Sequence, residues 1–343
     1  MIRVGVIGAG LIGRERLAAI RDLAAAGLPV ELAGLYDANT ELRQKSAAEY
    51  RAPACASIDD LLSVPADWVI VALPHDVAVN VALDALAKGR SVLLEKPMGR
   101  DLNEARRLLE AGGERLHVGF DYRFYAGIRR AIQDARRGAF GKLIAVNFIL
   151  GHGGSPGDEK TWKLDPARAG GGCLIDPGVH LLDLCLLLAP LGVEVVGGTT
   201  WSGLWKTGIE EDVQLLMRSA DGISITIEVS VVRWRSTFSL TLHGIEGYGI
   251  VTGRNRSYGP QRYVTGPRWG WRSAPTQAAA EKLVLESAGL DVFATEMKAL
   301  LFPEAAADES WPPPCTAREA YAVMELLDRV RAKIGLPRSY SPT

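Results

Sequence analysis

The sequence predicts an α/β chain in two parts: a doubly wound parallel sheet, then an α+β domain on a large, mostly antiparallel, open-faced sheet. Three observations predict it. Up to about residue 121, short apolar runs alternate with helix-like stretches that end at glycine. From about residue 122 the helices give way to long runs that alternate apolar and polar at period two. The first apolar run also opens into a glycine-rich turn followed by a helix. The division is expected at 1–121 and 122–343.

In chain order, strands are expected at Ile2–Ile7, Glu31–Tyr36, Trp68–Leu73, Ser91–Leu94 and Leu116–Phe120. Between them lie "RERLAAIRDLAAAG", "DVAVNVALDALAKG" and "DLNEARRLLEAGG", each ending at glycine, the residue preferred just beyond a helix. Asp101 with Glu104 has the spacing of a capping pair. Strand then helix, repeated, gives parallel strands covered by helices on both faces. In the second part, "KLIAVNFILG", "DVQLLMRS", "GISITIEVSVVRW" and "TFSLTLHGIEGYGIVTG" read as strands, with hairpin turns at "ADG" and "IEGYG". "SVVRWRSTF" places Arg233 and Arg235 on one strand face and Trp234 on the other. "RNRSYGPQRYVTGPRWGW" reads as a long basic, aromatic loop for an anionic substrate or a neighbouring subunit. "WPPPCT" is expected as a rigid connector into a last helix, Ala317–Ile334.

Composition narrows the function classes. Of 343 residues, 48% are hydrophobic, enough for a sizeable core. A net charge of -1 without a basic stripe argues against a nucleic-acid partner. Cys55, Cys173, Cys185 and Cys315 are scattered and form no C-x-x-C pair, so neither a metal site nor a disulfide framework is expected. No apolar stretch reaches the ~20 residues of a membrane span. The longest, "HLLDLCLLLAPLGV", is interrupted by Asp183, and "MIRVGVIGAG" is broken by glycine and followed by "GRER". A globular, cytoplasmic protein with no membrane partner is expected.

Two constellations carry chemistry. The first is Gly8-x-Gly10-x-x-Gly13 in "VGVIGAGLIG", after a strand and at the start of a helix. Gly8 permits the tight turn, Gly10 lets backbone approach a pyrophosphate, and Gly13 allows close helix–strand packing. The helix start adds free N–H groups and a positive dipole end. Asp37, at the end of the second strand, suits the adenosine ribose hydroxyls and repels a 2′-phosphate; "ANTE" beyond it holds no arginine, so NAD is expected over NADP. The bland alternative is an ordinary loop acid. The second constellation is "GGGCLIDPGVHLLDL", where Asp176 fits a helix N-cap and Pro177 the first turn. Asp176 and His180 then share a face, as a carboxylate holding a proton-moving imidazole. The alternative is a plain cap and a packed histidine.

On these residues the chain resembles the Gfo/Idh/MocA family of NAD(P)-dependent sugar and cyclitol dehydrogenases, related to inositol dehydrogenase. The resemblance covers nearly the whole chain through "GVIGAGLIG", "VALPHDVAVNVALDALAKGRSVLLEKP", "HVGFDYRF" and "GGGCLIDPGVHLLDL", with "EDVQLLMRSADG" weaker. It implies a Rossmann domain, an α/β domain whose open sheet forms a homodimer or homotetramer, and Lys96, Asp176 and His180 as catalytic residues. The expected cofactor-binding set is Gly8, Gly10, Leu11, Ile12, Gly13, Asp37, Leu73, Pro74, His75, Glu95, Lys96 and Arg123. The expected substrate set is Lys96, Arg123, Trp162, Lys163, Asp176 and His180, Arg123 standing near the nicotinamide. Two departures stand out: Ala78 where many members have histidine, and Asp121 where many have asparagine.

The implied reaction is hydride transfer between NAD and a secondary alcohol of a sugar, cyclitol or sugar derivative, with or without a phosphate. His180 takes the hydroxyl proton with Asp176 orienting the imidazole, and Lys96 stabilises charge on the oxygen; Lys96 as the group that moves the proton is the open alternative. Lys96 ends its strand at "EKP", over the carboxyl edge where open α/β sheets bind ligands. A cofactor-dependent sensor or repressor and an NAD-assisted glycoside hydrolase remain the alternatives.

Overall fold

The computed structural model describes residues 1–155, 157–268, 281–289, 291–306 and 312–340. Five parallel strands open the chain: β1 (Ile2–Ile7), β2 (Val30–Tyr36), β3 (Trp68–Val71), β4 (Ser91–Glu95) and β5 (Leu116–Gly119). They stand in the order β2-β1-β3-β4-β5. Val4, Val6, Val69, Ile70, Val92 and Leu93 are fully buried, as parallel strands covered on both faces must be. The connecting helices are α1 (Leu11–Ala25), α2 (Thr40–Tyr50), α3 (Ile58–Ser63), α4 (His75–Ala87) and α5 (Leu102–Gly112). Asp101 caps α5 by accepting from the N–H groups of Asn103 and Glu104. The sequence reading has no counterpart for α2, whose "TELRQKSAAEY" is mostly polar; the Asn39 side chain caps it by accepting from Leu42 N–H.

The later helices are α6 (Ala126–Arg136), α7 (Pro166–Ala169), α8 (Val179–Leu188), α9 (Val292–Leu301) and α10 (Ala317–Lys333). The second sheet comprises β6 (Leu143–Gly151), β7 (Val193–Trp201), β8 (Asp212–Ser219), β9 (Ser224–Ser230), β10 (Thr237–Gly244), β11 (Gly247–Thr252), β12 (Gln261–Pro267) and β13 (Lys282–Ser287). Their order is β13-β12-β11-β10-β6-β9-β8-β7, antiparallel throughout except for the parallel pair β6 and β9. Period two is cleanest in β8, where Val213, Leu215 and Met217 face the core and Gln214, Leu216 and Arg218 face outward. Helix α6 packs on β10–β13, α10 on β7, and α8 against both helices. The outward face carries Leu216 and Leu283 exposed, and Ile144 and Val196 are exposed at bulges of β6 and β7. Among the described residues no helix is long and apolar enough to cross a membrane.

Several expectations are corrected. Cys315–Thr316 of the expected connector is a strand, β14, antiparallel to β5 at the edge of the first sheet. Trp311 lies outside the described residues. Residues 231–236 are not strand; ladder pairing stops at Ser230, and Arg233 turns back to pair with Glu228 while Trp234 is 78% exposed. Part of the expected basic loop is strand β12, paired with β11 and β13; Trp269 and Trp271 lie outside the described residues.

Two buried arginines tie the parts together. Arg16 of α1 donates to Glu95 at the end of β4 (2.7 Å) and to Glu296 of α9 (2.6 Å), and sits over the Phe293 ring. Burial pushes the Glu296 carboxyl up to about 7 despite Arg16. Arg123, expected beside the nicotinamide, is instead buried: it makes a fork of two bonds to Asp183 of α8 (2.8 and 2.5 Å) and donates to the carbonyl of Pro313 (3.0 Å). Its donors are spent on locking the segment after β5, α8 and the returning chain together. Asp183→Ala should therefore destabilise the protein by about 3–5 kcal/mol, because it strands a buried guanidinium. Urea unfolding checks this; a loss below about 1 kcal/mol would contradict the structural role given to the pair.

Candidate active site

The glycine turn forms at the end of β1, in the crevice above the strand ends. Gly8 has φ +98°, and a Cβ there would stand 2.2 Å from the carbonyl oxygen of Ala72; a Cβ on Gly13 would stand 1.9 Å from the carbonyl oxygen of Gly8. Gly10 differs: a Cβ there would meet nothing within 4 Å, so its side is open space. Gly10 is also the N-cap of α1 and offers no side-chain cap, which leaves the first N–H groups around Leu11, Ile12 and Gly13 free to face an anion. Leu11 is 59% exposed beside them. Asp37 is fixed next to the turn, Oδ2 accepting from Ala9 N–H (2.7 Å) and Oδ1 from Asn39 N–H (2.8 Å). An uncapped helix start, open room at Gly10 and an anchored carboxylate fit a dinucleotide. The arginine missing from "ANTE" is supplied by α2: Arg43 donates to the Asp37 carbonyl (2.8 Å) and lies over the Tyr36 ring.

The other members of the expected cofactor set divide. Leu73 and Pro74 follow β3 at the same edge and are half-buried. His75 begins α4, buried, and donates from Nδ1 to the carbonyl of Ala169 (2.7 Å). Its ring meets Trp162 edge-on at 4.7 Å, and burial pushes its pKa down to about 4. It is thus a neutral buttress for the Trp162 turn. Glu95 is turned inward onto Arg16, and Arg123 onto Asp183, so neither carries a free charge into the cleft.

Asp176 is the hub of the second constellation, but not as a helix cap. Helix α8 starts at Val179 with Gly178 at its N-cap, and Asp176 lies before it; the Lys96–Pro97 and Asp176–Pro177 bonds are both cis. The preceding glycine loop is pinned by Glu210, whose Oε1 accepts from Gly172 N–H (2.9 Å) and Leu174 N–H (3.2 Å). Asp176 Oδ1 accepts from Lys96, which ends β4, and Oδ2 from Lys163 of the Trp162 turn (2.9 Å). Burial alone would raise this carboxyl; Lys163 and Lys96 override it and hold it well below the usual carboxylate range. Both oxygens face lysines, so the expected Asp176–His180 hydrogen bond is not made, and one helix face does not carry both residues.

His180 lies in the first turn of α8, buried, stacked on Tyr122 at 3.9 Å and met edge-on by Phe120 at 5.7 Å. Its Nδ1 is nearest to Asp121 Oδ1, at 3.6 Å. Burial, then the charges of Lys96 and Arg254, push its pKa well below the ordinary histidine value, so it is neutral at pH 7. Arg254, which the sequence reading held only as part of a basic loop, stands in a cage of Tyr122, Tyr125 and Tyr258 and donates to Tyr125 Oη (3.1 Å). Pattern reading offered no signal for it beyond the clustering of arginine with tyrosine. Lys163 is 57% exposed and reaches over Trp162 toward the cleft. An ammonium and a neutral imidazole beside a dinucleotide cradle can stabilise an oxyanion and accept a proton.

Comparison with known proteins places the family and the fold. Residues 2–120 match the model of the oxidoreductase family with an NAD-binding Rossmann fold, and residues 127–249 match the GFO/IDH/MocA C-terminal domain. The chain is similar to glucose-6-phosphate 3-dehydrogenase of Bacillus subtilis (strain 168), 30% identical over 54% of this chain and 53% of that one, so it spans about half that relative's length. It is similar to 1,5-anhydro-D-fructose reductase of Ensifer adhaerens, 29% identical over 74% of this chain and 76% of the relative. Among solved structures, levoglucosan dehydrogenase with NADH and levoglucosan superposes at TM-score 0.79 over 97% of both chains, at 19% identity. A 3-ketoreductase from Actinomadura kijaniata with NADP and TDP-benzene gives 0.78, at 19% identity, over 97% of this chain and 98% of that one. A Rossmann sheet carrying the glycine turn, an eight-stranded partner sheet and both matched regions place this chain in the Gfo/Idh/MocA family of NAD(P)-binding oxidoreductases.

Proposed function

We propose that this protein is an NAD-dependent dehydrogenase acting on a secondary alcohol of a sugar, cyclitol or sugar derivative. The observation that carries the reading is Lys96, held by Asp176 at the edge of the Rossmann sheet, with neutral His180 within reach of its charge. The relatives named above act on sugars by oxidation or reduction, which supports the substrate class.

The chain's own groups divide the work. Gly8, Gly10, Gly13 and the start of α1 hold the pyrophosphate, and Asp37 takes the ribose hydroxyls. The nicotinamide, when bound, supplies the hydride acceptor. Lys96 donates a hydrogen bond to the carbinol oxygen and stabilises the negative charge that grows there. His180 accepts the hydroxyl proton, a role typically worth ~10²–10⁴-fold in rate. Asp176 keeps Lys96 aimed, and Trp162 with Lys163 forms the wall against the substrate ring. The uncovered face of the second sheet, with Leu216 and Leu283 exposed, suits a homodimer or homotetramer interface. Four buried free thiols suit the reducing cytoplasm.

Calorimetric titration should find NADH bound more tightly than NADPH. Asp37→Ser alone should move preference toward NADPH, since Arg43 already stands beside the site. Tighter NADPH binding by the unmodified protein would remove Asp37 as the discriminator. Lys96→Met and His180→Ala should keep cofactor affinity and each lower turnover by at least ~100-fold. The assay is NADH formation over a panel of sugars, cyclitols and their phosphates. Near-normal turnover in both variants would take the two residues out of the mechanism, and no NADH from any alcohol would favour a sensor.

A further inference from the structure

Three consecutive residues after β5 hold the imidazole of His180. Tyr122 covers one face of the ring, with only 9° between the planes, and Phe120 meets it at 88°. Those two contacts fix the ring plane and leave the protonation of its two nitrogens to be decided. Among the described residues, Nδ1 is buried without a hydrogen-bond partner, and the nearest carboxylate oxygen is Asp121 Oδ1 at 3.6 Å. That gap is within a side-chain rotation of a hydrogen bond, and such bonds are often long before substrate is bound. Asp176, the other acid of the site, has each oxygen on a lysine.

We propose that Asp121 is the positioning carboxylate of His180: it accepts the Nδ1 proton and so leaves Nε2 as the basic nitrogen for the substrate hydroxyl. The proposal rests on the reading of His180 as proton acceptor and deepens it. Asparagine at this position offers an amide oxygen that does the same without titrating; aspartate adds a charge and a pH response.

The surroundings set that response. Asp121 is faced by Lys96 and Glu95 from the end of β4, Arg16 from α1, Glu296 from α9, and Arg254 from the segment after β11. Tyr122 and Tyr125 face it from its own segment. Burial pushes its carboxyl up to about 6, against the pull of Arg254. At pH 7 to 8 Asp121 is therefore ionised while His180 is neutral, the state in which Nδ1–H donates and Nε2 accepts. As pH falls through about 6 the carboxylate gains a proton, loses the charge that favours Nδ1–H, and can itself donate to Nδ1, the reverse of the productive arrangement.

Imidazole ¹⁵N NMR on the full chain tests this without substrate. The chain has five histidines, so His180→Gln assigns the relevant signals. The expected wild-type spectrum at pH 7.5 shows neutral His180 as the Nδ1–H tautomer. Asp121→Ala should shift it toward Nε2–H, Asp121→Asn should retain Nδ1–H, and Asp176→Asn should leave the tautomer unchanged. An Nε2–H tautomer in the wild type, or an unchanged tautomer in Asp121→Ala, overturns the proposal. Should Asp121→Ala fail to fold, the wild-type tautomer and the Asp176→Asn spectrum decide it. With a turning-over alcohol, Asp121→Asn should also move the acid limb of kcat/KM to lower pH; an unmoved limb counts against Asp121. Absence of turnover would fall on the functional reading alone, because the tautomer is read in the resting protein.

Discussion

Asp176 between Lys96 and Lys163 is the contact on which the site turns. One buried carboxylate takes an ammonium on each oxygen, one from the end of a parallel strand and one from a turn in the second part of the chain. Two ammonium groups close together repel, and a buried carboxylate without partners costs several kcal/mol. The buried carboxylate therefore depends on the two lysines, while Lys163, 57% exposed, also keeps water. The bridge fixes Lys96 over the carboxyl edge of the first sheet and closes the Trp162 turn on the cleft. It also holds the carboxylate well below the usual carboxylate range, so Asp176 stays ionised.

Around that bridge the remaining titratable groups are sorted by burial. His75 and His180 are neutral because the interior disfavours their charged forms, and cations nearby push His180 further the same way. Glu95 and Arg123, expected as site residues, each make an ion pair that reaches across the chain. Such pairs do little for net stability compared with apolar packing, but losing one partner is costly. They hold the two sheets in one arrangement, and the cleft lies where that arrangement brings β4, the segment after β5 and α8 together.

Much of this was readable before the fold. The glycine turn works by local sterics, so Gly8 and Gly13 can be assigned from spacing, and the alternation in β8 states which side faces the core. Rules of local order failed where a distant partner decides. Asp176 has the spacing of a helix cap, yet two lysines from elsewhere claim its oxygens and the helix begins at Val179. Arg123 is sequence neighbour to the site, yet Asp183, 60 residues away, takes its guanidinium. Arg43 lies beyond "ANTE", and a helical turn folds it back onto the Asp37 carbonyl. Cys315–Thr316 is too short to signal a strand and becomes one only because β5 leaves an open edge. Asp121 was visible as a departure, but its meaning depends on where His180 lands.

The central claim is direct hydride transfer between a carbinol carbon and the nicotinamide, with the proton leaving through His180. The most direct measurement is the fate of deuterium placed on the carbinol carbon of a turning-over sugar or cyclitol. The account predicts that the label appears at C4 of the reduced nicotinamide, on one face only, with none in solvent. Label washed into water, or distributed over both faces, would contradict a site in which Lys96 and His180 hold one oxygen beside a fixed acceptor.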